Sequence, residues 1–284
     1  MLKAANSHVD EVGASADCHE VLAGSFESGL LLLCDHASNQ FPPEYGTLGL
    51  PQSELERHIA YDIGAAGVTR GLSALLNAPA VLTRYSRLLI DPNRSVDDPT
   101  LIMQLSDGAV VAGNSALDAT ERAKRVRHYY EPYHSTIDAL IDRFMDAGVV
   151  PILLSIHSFT ECWKETPRPW HITVLWDRDP RLPKPMLKRL SKEEALIVGE
   201  NEPYSGQLKG DCLYRHASMR GFAHALLEIR QDLIRAERDQ VRWAERLART
   251  MTELLQDNEL VADLRRVKHH GSHARGRSSQ RHRH

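Results

Sequence analysis

Two short apolar stretches of the chain each end in a histidine. Residues 30–39 (LLLLCDHASN) change abruptly from leucines to Asp35 and His36, and residues 149–157 (VVPILLSIH) end at His157. An apolar run without alternation is typical of a strand that is covered on both faces in a parallel α/β sheet. Ligands of such sheets bind just beyond the carboxyl ends of the strands. A single histidine is more often a structural, hydrogen-bonded residue, but a matched pair at two strand ends indicates a metal site.

A carboxylate follows on the apolar face of the helix that we predict after the first strand. Ser53, with Glu56 three residues later, has the pattern of a capping box and predicts a helix that runs to about Asn77. Asp62 comes three residues after Ile59, so it lies on or beside the buried face. A buried carboxylate needs a cation, a metal ion or several hydrogen-bond donors. Asp62 is therefore a candidate metal ligand, and the alternative is a salt bridge to an arginine.

Three arginines, Arg84, Arg87 and Arg94, lie within eleven positions of one another. Such crowding is repulsive unless the guanidinium groups share an anion, and guanidinium groups bind carboxylates through two parallel hydrogen bonds. The last arginine completes the turn at residues 91–94 (DPNR), where a rigid proline is followed by an amide and a guanidinium. The pattern favours an anionic substrate, and the alternative is that some of the arginines pair with neighbouring aspartates.

Glu228 adds a carboxylate near the end of the last predicted strand, residues 224–230 (HALLEIR). Two histidines and one carboxylate are a common ligand set for a catalytic zinc ion, and the fourth position is then left to water. Zinc lowers the pKa of that water to about 7, and a separate carboxylate can carry its proton to the leaving group. With His36, Asp62 and His157 as ligands and Glu228 as proton carrier, the set predicts a metal-dependent hydrolase with one Zn²⁺ per chain. Its expected substrate is a small anionic amide.

The composition limits the class of protein. With 284 residues, 42% of them hydrophobic, the chain is large enough to bury a full core. The last 20 residues contain seven Arg and Lys and no acid, so the rest carries a net charge of about −10, which argues against nucleic acid as a partner. No apolar stretch approaches the roughly 20 residues of a membrane span. The four cysteines are scattered without a CxxC pair, as in a reduced, cytoplasmic protein.

From these features we expect a flexible leader at residues 1–25, a single α/β hydrolase domain at residues 26–260, and a disordered, basic, histidine-rich tail at residues 261–284. The sequence gives no indication of the oligomeric state.

Seven segments resemble, in order, the N-formylglutamate amidohydrolase family: DHASN, HIAYDIGA, RYSRLLIDPNR, YYEPYH, SIHSF, NEPYSG and ALLEIRQDLI. They extend over about residues 28–236. The resemblance implies a three-layer, zinc carboxypeptidase-like α/β fold with a mixed, mostly parallel central sheet. It also implies a zinc amidohydrolase of histidine degradation, which removes the formyl or a similar acyl group from an acidic amino acid such as N-formyl-L-glutamate.

The resemblance extends to individual residues. Zinc carboxypeptidases take two metal ligands from an HxxE motif, but here Asn39 stands three residues after His36, so we assign the place of the missing glutamate to Asp62. Glu228 is similar to the catalytic glutamate of those enzymes. Asn93-Arg94 is similar to the pair that holds the terminal carboxylate. The residues that we expect to bind substrate are therefore Asn93, Arg94 and Arg84.

Other functions have weaker support in the sequence. A serine hydrolase could use Ser38, Ser155 or Ser158, but none of them stands in a G-x-S-x-G elbow. A nucleotide-binding module would need a glycine-rich turn after the first strand, and that turn is missing. A non-catalytic binding protein has no need of a proton carrier such as Glu228. A related zinc amidase or carboxypeptidase that acts on another N-acyl amino acid or peptide remains the alternative within the enzyme hypothesis.

Overall fold

The computed structural model describes residues 18–273 and centres on one seven-stranded mixed sheet. The strands of this sheet follow the order β1-β3-β2-β6-β11-β9-β10, and four of its six neighbouring pairs are parallel. β4–β5 and β7–β8 form two separate short hairpins. The strands are β1 (His19–Leu22), β2 (Leu30–Cys34), β3 (Ala80–Thr83), β4 (Leu105–Ser106), β5 (Ala109–Val110), β6 (Ile152–Phe159), β7 (Cys162–Trp163), β8 (Thr166–Pro167), β9 (Ile172–Leu175), β10 (Val198–Glu200) and β11 (His224–Arg230).

Helices cover both faces of the sheet. α2, α5, α7 and α8 pack on one face, and α4 and α6 pack on the other. The helices are α1 (Gln52–Leu55), α2 (Ala65–Leu76), α3 (Ala119–Arg125), α4 (Glu131–Asp146), α5 (Pro183–Leu190), α6 (Cys212–His216), α7 (Glu237–Leu255) and α8 (Asn258–Leu264), and a π-helical turn joins α3 to α4. Among residues 18–273, no helix has the length and the apolar character needed to cross a lipid bilayer.

Strand β2 shows why the predicted apolar run has no alternation. Leu30 and Leu32 pack against the layer of α2 and α7, whereas Leu31 and Leu33 pack against the layer of α4. All four leucines are completely buried, and each contributes about 1.5–3 kcal/mol relative to an exposed position. The predicted three-layer α/β fold with a mixed, mostly parallel sheet is confirmed.

The carboxyl ends of β2, β6 and β11 lie at the same edge of the sheet, because β6 is parallel to both of its neighbours. Residues that follow or end these strands therefore come together in space. This is the edge at which the sequence predicts the site.

The continuous helix predicted for residues 53–77 is wrong. The chain forms the single turn of α1, then an irregular loop, and only then α2. Gly64 precedes α2 with a φ of +81°, and a Cβ atom there would meet the carbonyl oxygen of Ile234 at 2.1 Å, so the chain reverses at a position that only glycine can occupy. Asp62 consequently lies in the loop, where its backbone N–H donates to the carbonyl oxygen of His36 at 2.9 Å.

The predicted ends of the domain also need correction. The leader assigned to residues 1–25 is too long, because β1 pairs with β3 in the sheet. The tail assigned to residues 261–284 begins too early, since α8 extends into it and the Arg265 guanidinium donates to the carbonyl oxygen of Glu27 at 3.0 Å. The remainders of both predictions, residues 1–17 and 274–284, lie outside the described residues.

Candidate active site

The structure brings the two predicted histidines together at the edge of the sheet. His36 follows β2, His157 lies in β6, and the centroids of their imidazole rings are 5.0 Å apart. Asp62 joins them from the loop before α2. One nitrogen of each histidine and one Asp62 oxygen lie within 4.8 Å of one another, and all three side chains are buried.

Hydrogen bonds fix the orientation of the His36 ring. Its Nε2 lies 2.8 Å from Oδ1 of Asp91, a group that can only accept, so Nε2 carries the proton. Nη1 of Arg87 lies 3.2 Å from Nδ1 of the same ring. The same Nδ1 lies 3.3 Å from Oδ2 of Asp62. In a neutral ring with its proton on Nε2, Nδ1 would turn a lone pair towards Asp62, and a cation could bind between the two groups.

The His157 ring lies between two carboxylates. Its Nδ1 is 2.8 Å from Oδ2 of Asp62, and its Nε2 is 3.0 Å from Oδ2 of Asp35. Burial opposes a charge on this imidazole, but the two hydrogen-bonded carboxylates hold its pKa well above the usual value. A metal ion could take the place of the proton on Nδ1 without disturbing the bond to Asp35.

Asp62 is the common acceptor of this group. Burial alone would raise the pKa of its carboxyl group, but His36 and His157 hold that pKa well below the usual value. The Ser158 backbone N–H also approaches Oδ2 at 3.3 Å. The salt bridge that the sequence offered as an alternative is present as well, since Nη1 of Arg87 lies 3.7 Å from Oδ1 of Asp62.

The donor set fits a zinc ion. In a tetrahedral site, bonds of about 2.0–2.2 Å place the ligand atoms about 3.4 Å apart, close to the 3.3 Å between Nδ1 of His36 and Oδ2 of Asp62. The 2.8 Å between Nδ1 of His157 and Oδ2 of Asp62 is the length of a hydrogen bond, which a zinc ion would replace. Metal-bound histidines usually donate their second ring nitrogen to a carboxylate, which fixes the ring. Asp91 does this for His36, and Asp35 does it for His157. Asp35 is held in turn by the hydroxyl groups of Tyr133 and Ser155, which lie 2.8 Å and 3.0 Å from its oxygens.

Glu228 lies beside this group on the neighbouring strand. It is in register with His157 in the parallel β6–β11 pair, and it shares a face of β11 with Leu226. Among the described residues, its buried Oε2 has no hydrogen-bond partner. Burial raises the pKa of Glu228 to about 8, although His157 and Arg87 oppose the shift. The side chain is therefore a carboxyl group that can hold a proton, and it lines the same cavity as the histidines.

Asn93 and Arg94 also line this cavity. The Asn93 side-chain oxygen accepts from the backbone N–H of Cys212 at 2.9 Å, so the group that Asn93 can offer to the cavity is its N–H₂. The Arg94 guanidinium donates to the Asn93 carbonyl oxygen at 2.7 Å, and its Nε lies 3.8 Å from Asp91. The turn therefore presents two kinds of donor beside the histidines.

Arg84 is the predicted site residue that the structure does not bring to the site. It follows the last residue of β3 and lines a different cavity, together with Tyr85 and Tyr129. Arg87 lies in the candidate site instead, and its guanidinium contacts His36, Asp91 and Asp62. Residues 87–89 form a turn after β3, and this turn brings Arg87 rather than Arg84 into the candidate site.

Three residues of the site were not assigned a role from sequence: Asp35, Asp91 and Arg87. Each had a signal, since Asp35 precedes His36 and Asp91 belongs to the DPNR turn. Arg87 stands four residues before Asp91 and pairs with it. Burial alone would raise the pKa of Asp91, but the charges of Arg87 and His36 hold that pKa well below the usual value. These residues form the buried layer that orients the two histidines.

A second group of possible ligands, His134, His216 and Cys212, lies on the α4 and α6 side of the sheet. Hydrogen bonds account for most of its polar atoms. The two histidines bond each other at 2.7 Å, and Nδ1 of His216 bonds Asp138 at 3.0 Å. None of these four side chains lines the cavity that contains Glu228.

Comparisons with known proteins agree with the fold. The family model described as N-formylglutamate amidohydrolase matches residues 28–235. A gene product of Agrobacterium tumefaciens is similar at 34% identity with a TM-score of 0.79, over 86% of this chain and 97% of that chain. The N-formylglutamate amidohydrolase from Ralstonia eutropha JMP134 is similar at 19% identity with a TM-score of 0.61, over 84% of this chain and 99% of that chain, which shows a common fold. No protein in the curated set matches the chain.

Proposed function

Because the chain belongs to the N-formylglutamate amidohydrolase family, we propose that it is a zinc-dependent amidohydrolase that acts on N-acylated amino acids. The reaction would be the hydrolysis of an N-formyl or similar N-acyl amide of an amino acid with a free carboxylate, such as N-formyl-L-glutamate. The expected ligands of the zinc ion are His36, Asp62 and His157, and one ion is expected per chain.

One observation carries this proposal. His36 and His157 both direct Nδ1 at the same oxygen of Asp62, while a separate aspartate holds Nε2 of each ring. Hydrogen bonding alone does not require two buried imidazoles to converge on one carboxylate oxygen. A site in which two nitrogens and one oxygen share a cation explains the arrangement.

A zinc ion bound there would supply a water molecule of lowered pKa and would polarise the amide carbonyl. In its ionised form, Glu228 would accept the proton of this water as the oxygen attacks the acyl carbon. It would then pass the proton to the amide nitrogen as the C–N bond breaks, which releases the acid and the amino acid. Arg87 lines the cavity close to Asp62 and would stabilise the negative charge that develops on the carbonyl oxygen.

Asn93 and Arg94 would bind the carboxylate of the substrate. The proline at position 92 and the contacts of Asn93 with Cys212 hold the turn in place, so little conformational entropy is lost on binding. A guanidinium and an amide N–H₂ together provide a planar set of donors that suits a carboxylate.

The function is tested by removing and restoring the metal. We expect the purified protein to hydrolyse N-formyl or N-acetyl amino acids, to lose this activity after dialysis against a strong chelator, and to regain it with one equivalent of Zn²⁺. The released amine can be measured directly. An activity that survives complete removal of zinc would rule out the metal-dependent mechanism, and the absence of turnover across the substrate panel would rule out the enzyme.

The proposed role of Arg94 is tested by its conservative replacement. Arg94→Lys keeps the charge but loses the planar fork, so the preference for N-formylglutamate over its α-amide should fall about 10- to 100-fold, the value of a lost charge-assisted hydrogen bond. The ratio of kcat/KM for the two substrates measures this preference. Arg84→Lys is the matched control and should keep the wild-type ratio, because Arg84 lies outside the cavity. An equal loss of activity on both substrates would show that Arg94 does not bind the α-carboxylate.

A further inference from the structure

Arg168 is a buried arginine that follows β8 and supports one wall of the cavity from behind. It does not line the cavity, but its guanidinium carbon lies over three aromatic rings that do. The distances to the ring centroids are 5.9 Å for Phe159, 5.6 Å for Trp163 and 5.2 Å for Tyr204. A cation within about 6 Å of a ring face is attracted to it. The rings belong to β6, β7 and the loop after β10, so a single side chain joins three elements of this wall.

Within residues 18–273, the hydrogen bonds of this guanidinium all end on neutral oxygen atoms. Nη1 donates to the carbonyl oxygen of Thr160 at 3.3 Å, to the hydroxyl of the same residue at 2.9 Å, and to the Tyr204 hydroxyl at 3.2 Å. No carboxylate of the described residues pairs with Arg168. A buried cation without a counter-ion keeps its field, so it polarises the groups to which it donates.

The bond to Tyr204 leaves the proton of that hydroxyl group unused. A guanidinium can only donate, so the phenolic oxygen accepts from Arg168, and its own O–H must find a different acceptor. Among the described residues, no group accepts this proton at hydrogen-bond distance. Burial and the charge of Glu228 raise the pKa of Tyr204, so the hydroxyl keeps its proton at neutral pH.

This donor lies at the cavity in which we expect the substrate. Tyr204 lines the cavity together with Glu228, whose Oε2 also lacks a partner among the described residues. A hydrogen-bond donor that the protein does not satisfy, beside the expected proton carrier, suits an oxygen atom of a bound ligand. Because Arg168 donates to the same hydroxyl, it both orients the group and makes it a stronger donor.

We propose that Arg168 is a positioning residue of this site, which holds the Tyr204 hydroxyl so that it donates to an oxygen atom of the bound substrate. This inference rests on the proposed function, because it takes the occupant of the cavity to be an N-acyl amino acid. Tyr204 contacts the substrate, and Arg168 acts through Tyr204.

A double-mutant cycle tests whether Arg168 acts through that hydroxyl. Tyr204→Phe removes only the hydroxyl group, and it should lower kcat/KM for N-formyl-L-glutamate about 10-fold, the value of one lost hydrogen bond to a charged or polarised group. Arg168→Gln should cause a similar loss. Because both changes remove the same contact, the double variant should be no worse than Tyr204→Phe alone. Losses that multiply to about 100-fold would show that Arg168 only supports the wall, and would overturn the inference.

Two further variants guard the cycle against an effect on folding. Arg235→Gln is the matched control, since Arg235 is an exposed arginine that pairs with Glu161 and does not line the cavity. It should keep the wild-type kcat/KM. If Arg168→Gln does not fold, Arg168→Lys takes its place in the cycle, because lysine keeps a cation among the three rings but lacks the planar fork. The same non-additive result is expected.

A binding experiment separates this inference from the proposed function. Glu228→Gln lacks the proton carrier, so calorimetry can measure the binding of intact N-formyl-L-glutamate in that background. Tyr204→Phe and Arg168→Gln should each weaken binding about 10-fold, and the two together should weaken it no further. Unchanged or independent binding losses, with turnover intact in the wild type, would overturn the inference and leave the amidohydrolase standing. Coupled binding losses without turnover of any compound by the zinc-loaded wild type would overturn the proposed function alone.

Discussion

A His157→Ala variant is expected to purify without the zinc ion and to lose at least about 1,000-fold in amide hydrolysis. The variant removes a nitrogen that points at Asp62 and leaves both Asp62 and Asp35 without their shared cation. Loss of a residue that only orients a ligand costs about 10- to 100-fold in metal affinity, so loss of a ligand should cost more. The rate should fall with the metal, because polarisation of the carbonyl contributes several kcal/mol. Metal content per chain and kcat/KM measure the two effects.

The controls must exclude adventitious metal and a general loss of structure. Five histidines follow residue 268 and could bind zinc weakly, so the protein is washed with a mild chelator before analysis. His128→Ala removes an exposed histidine and His216→Ala removes a buried one, and both should keep one zinc ion per chain. Full zinc occupancy in the His157 variant would contradict the ligand assignment.

The same measurement on Asp62→Asn addresses the third ligand. An amide keeps the size of the side chain but cannot supply a negative oxygen, so zinc affinity should fall clearly if Asp62 is a ligand. Normal affinity would leave Asp62 as the ion-pair partner of Arg87, the alternative that the sequence already offered.

The positions of the two histidines could be predicted because they depend on local patterns. An apolar run that is buried on both faces identifies a central strand, and parallel strands bring their carboxyl ends to one edge. Both features depend on a few consecutive residues, so the sequence around His36 and His157 was sufficient. The same reasoning placed Glu228, since the β6–β11 pair brings it into register with His157.

The layer of residues behind the histidines could not be predicted in the same way. Asp91 and Asp35 contact the rings across 55 and 122 positions of the chain, and nothing in the local sequence shows which acid faces which histidine. The arginines pose the same difficulty. Arg84 and Arg87 have the same chemistry, and only the turn after β3 decides which of them points into the site.

The broken helix between α1 and α2 has a different cause. Its apolar spacing was compatible with a helix, but Gly64 has a left-handed backbone conformation and packs so closely against Ile234 that no Cβ atom would fit there. Tertiary contact therefore overrides the local preference for a helix. The consequence is functional, because the loop frees Asp62 from a helical surface and lets it reach both imidazoles.

A Glu228→Gln variant is expected to keep its zinc ion and to lose about 100- to 10,000-fold in kcat, the usual contribution of a general base. The amide has the shape of the carboxyl group but cannot accept the proton of the attacking water. The replacement should be tolerated, since Oε2 makes no hydrogen bond among the described residues and no partner is left unsatisfied. Single-turnover hydrolysis and metal analysis of the same sample separate the loss of proton transfer from the loss of zinc.

Glu200 and Glu202 provide the matched comparison for this prediction. Glu200 ends β10, and Glu202 lies in the loop that follows, whose residues Pro203 and Tyr204 line the cavity. Neither glutamate lines the cavity itself, and Glu200 forms a salt bridge with Lys184 at 2.6 Å. Glu202→Gln should therefore retain wild-type kcat. If Glu228→Gln retained it as well, the proton would have to pass through another group of the cavity. If Glu228→Gln lost its zinc, Glu228 would be a ligand, and the three-residue set of His36, Asp62 and His157 would be incomplete.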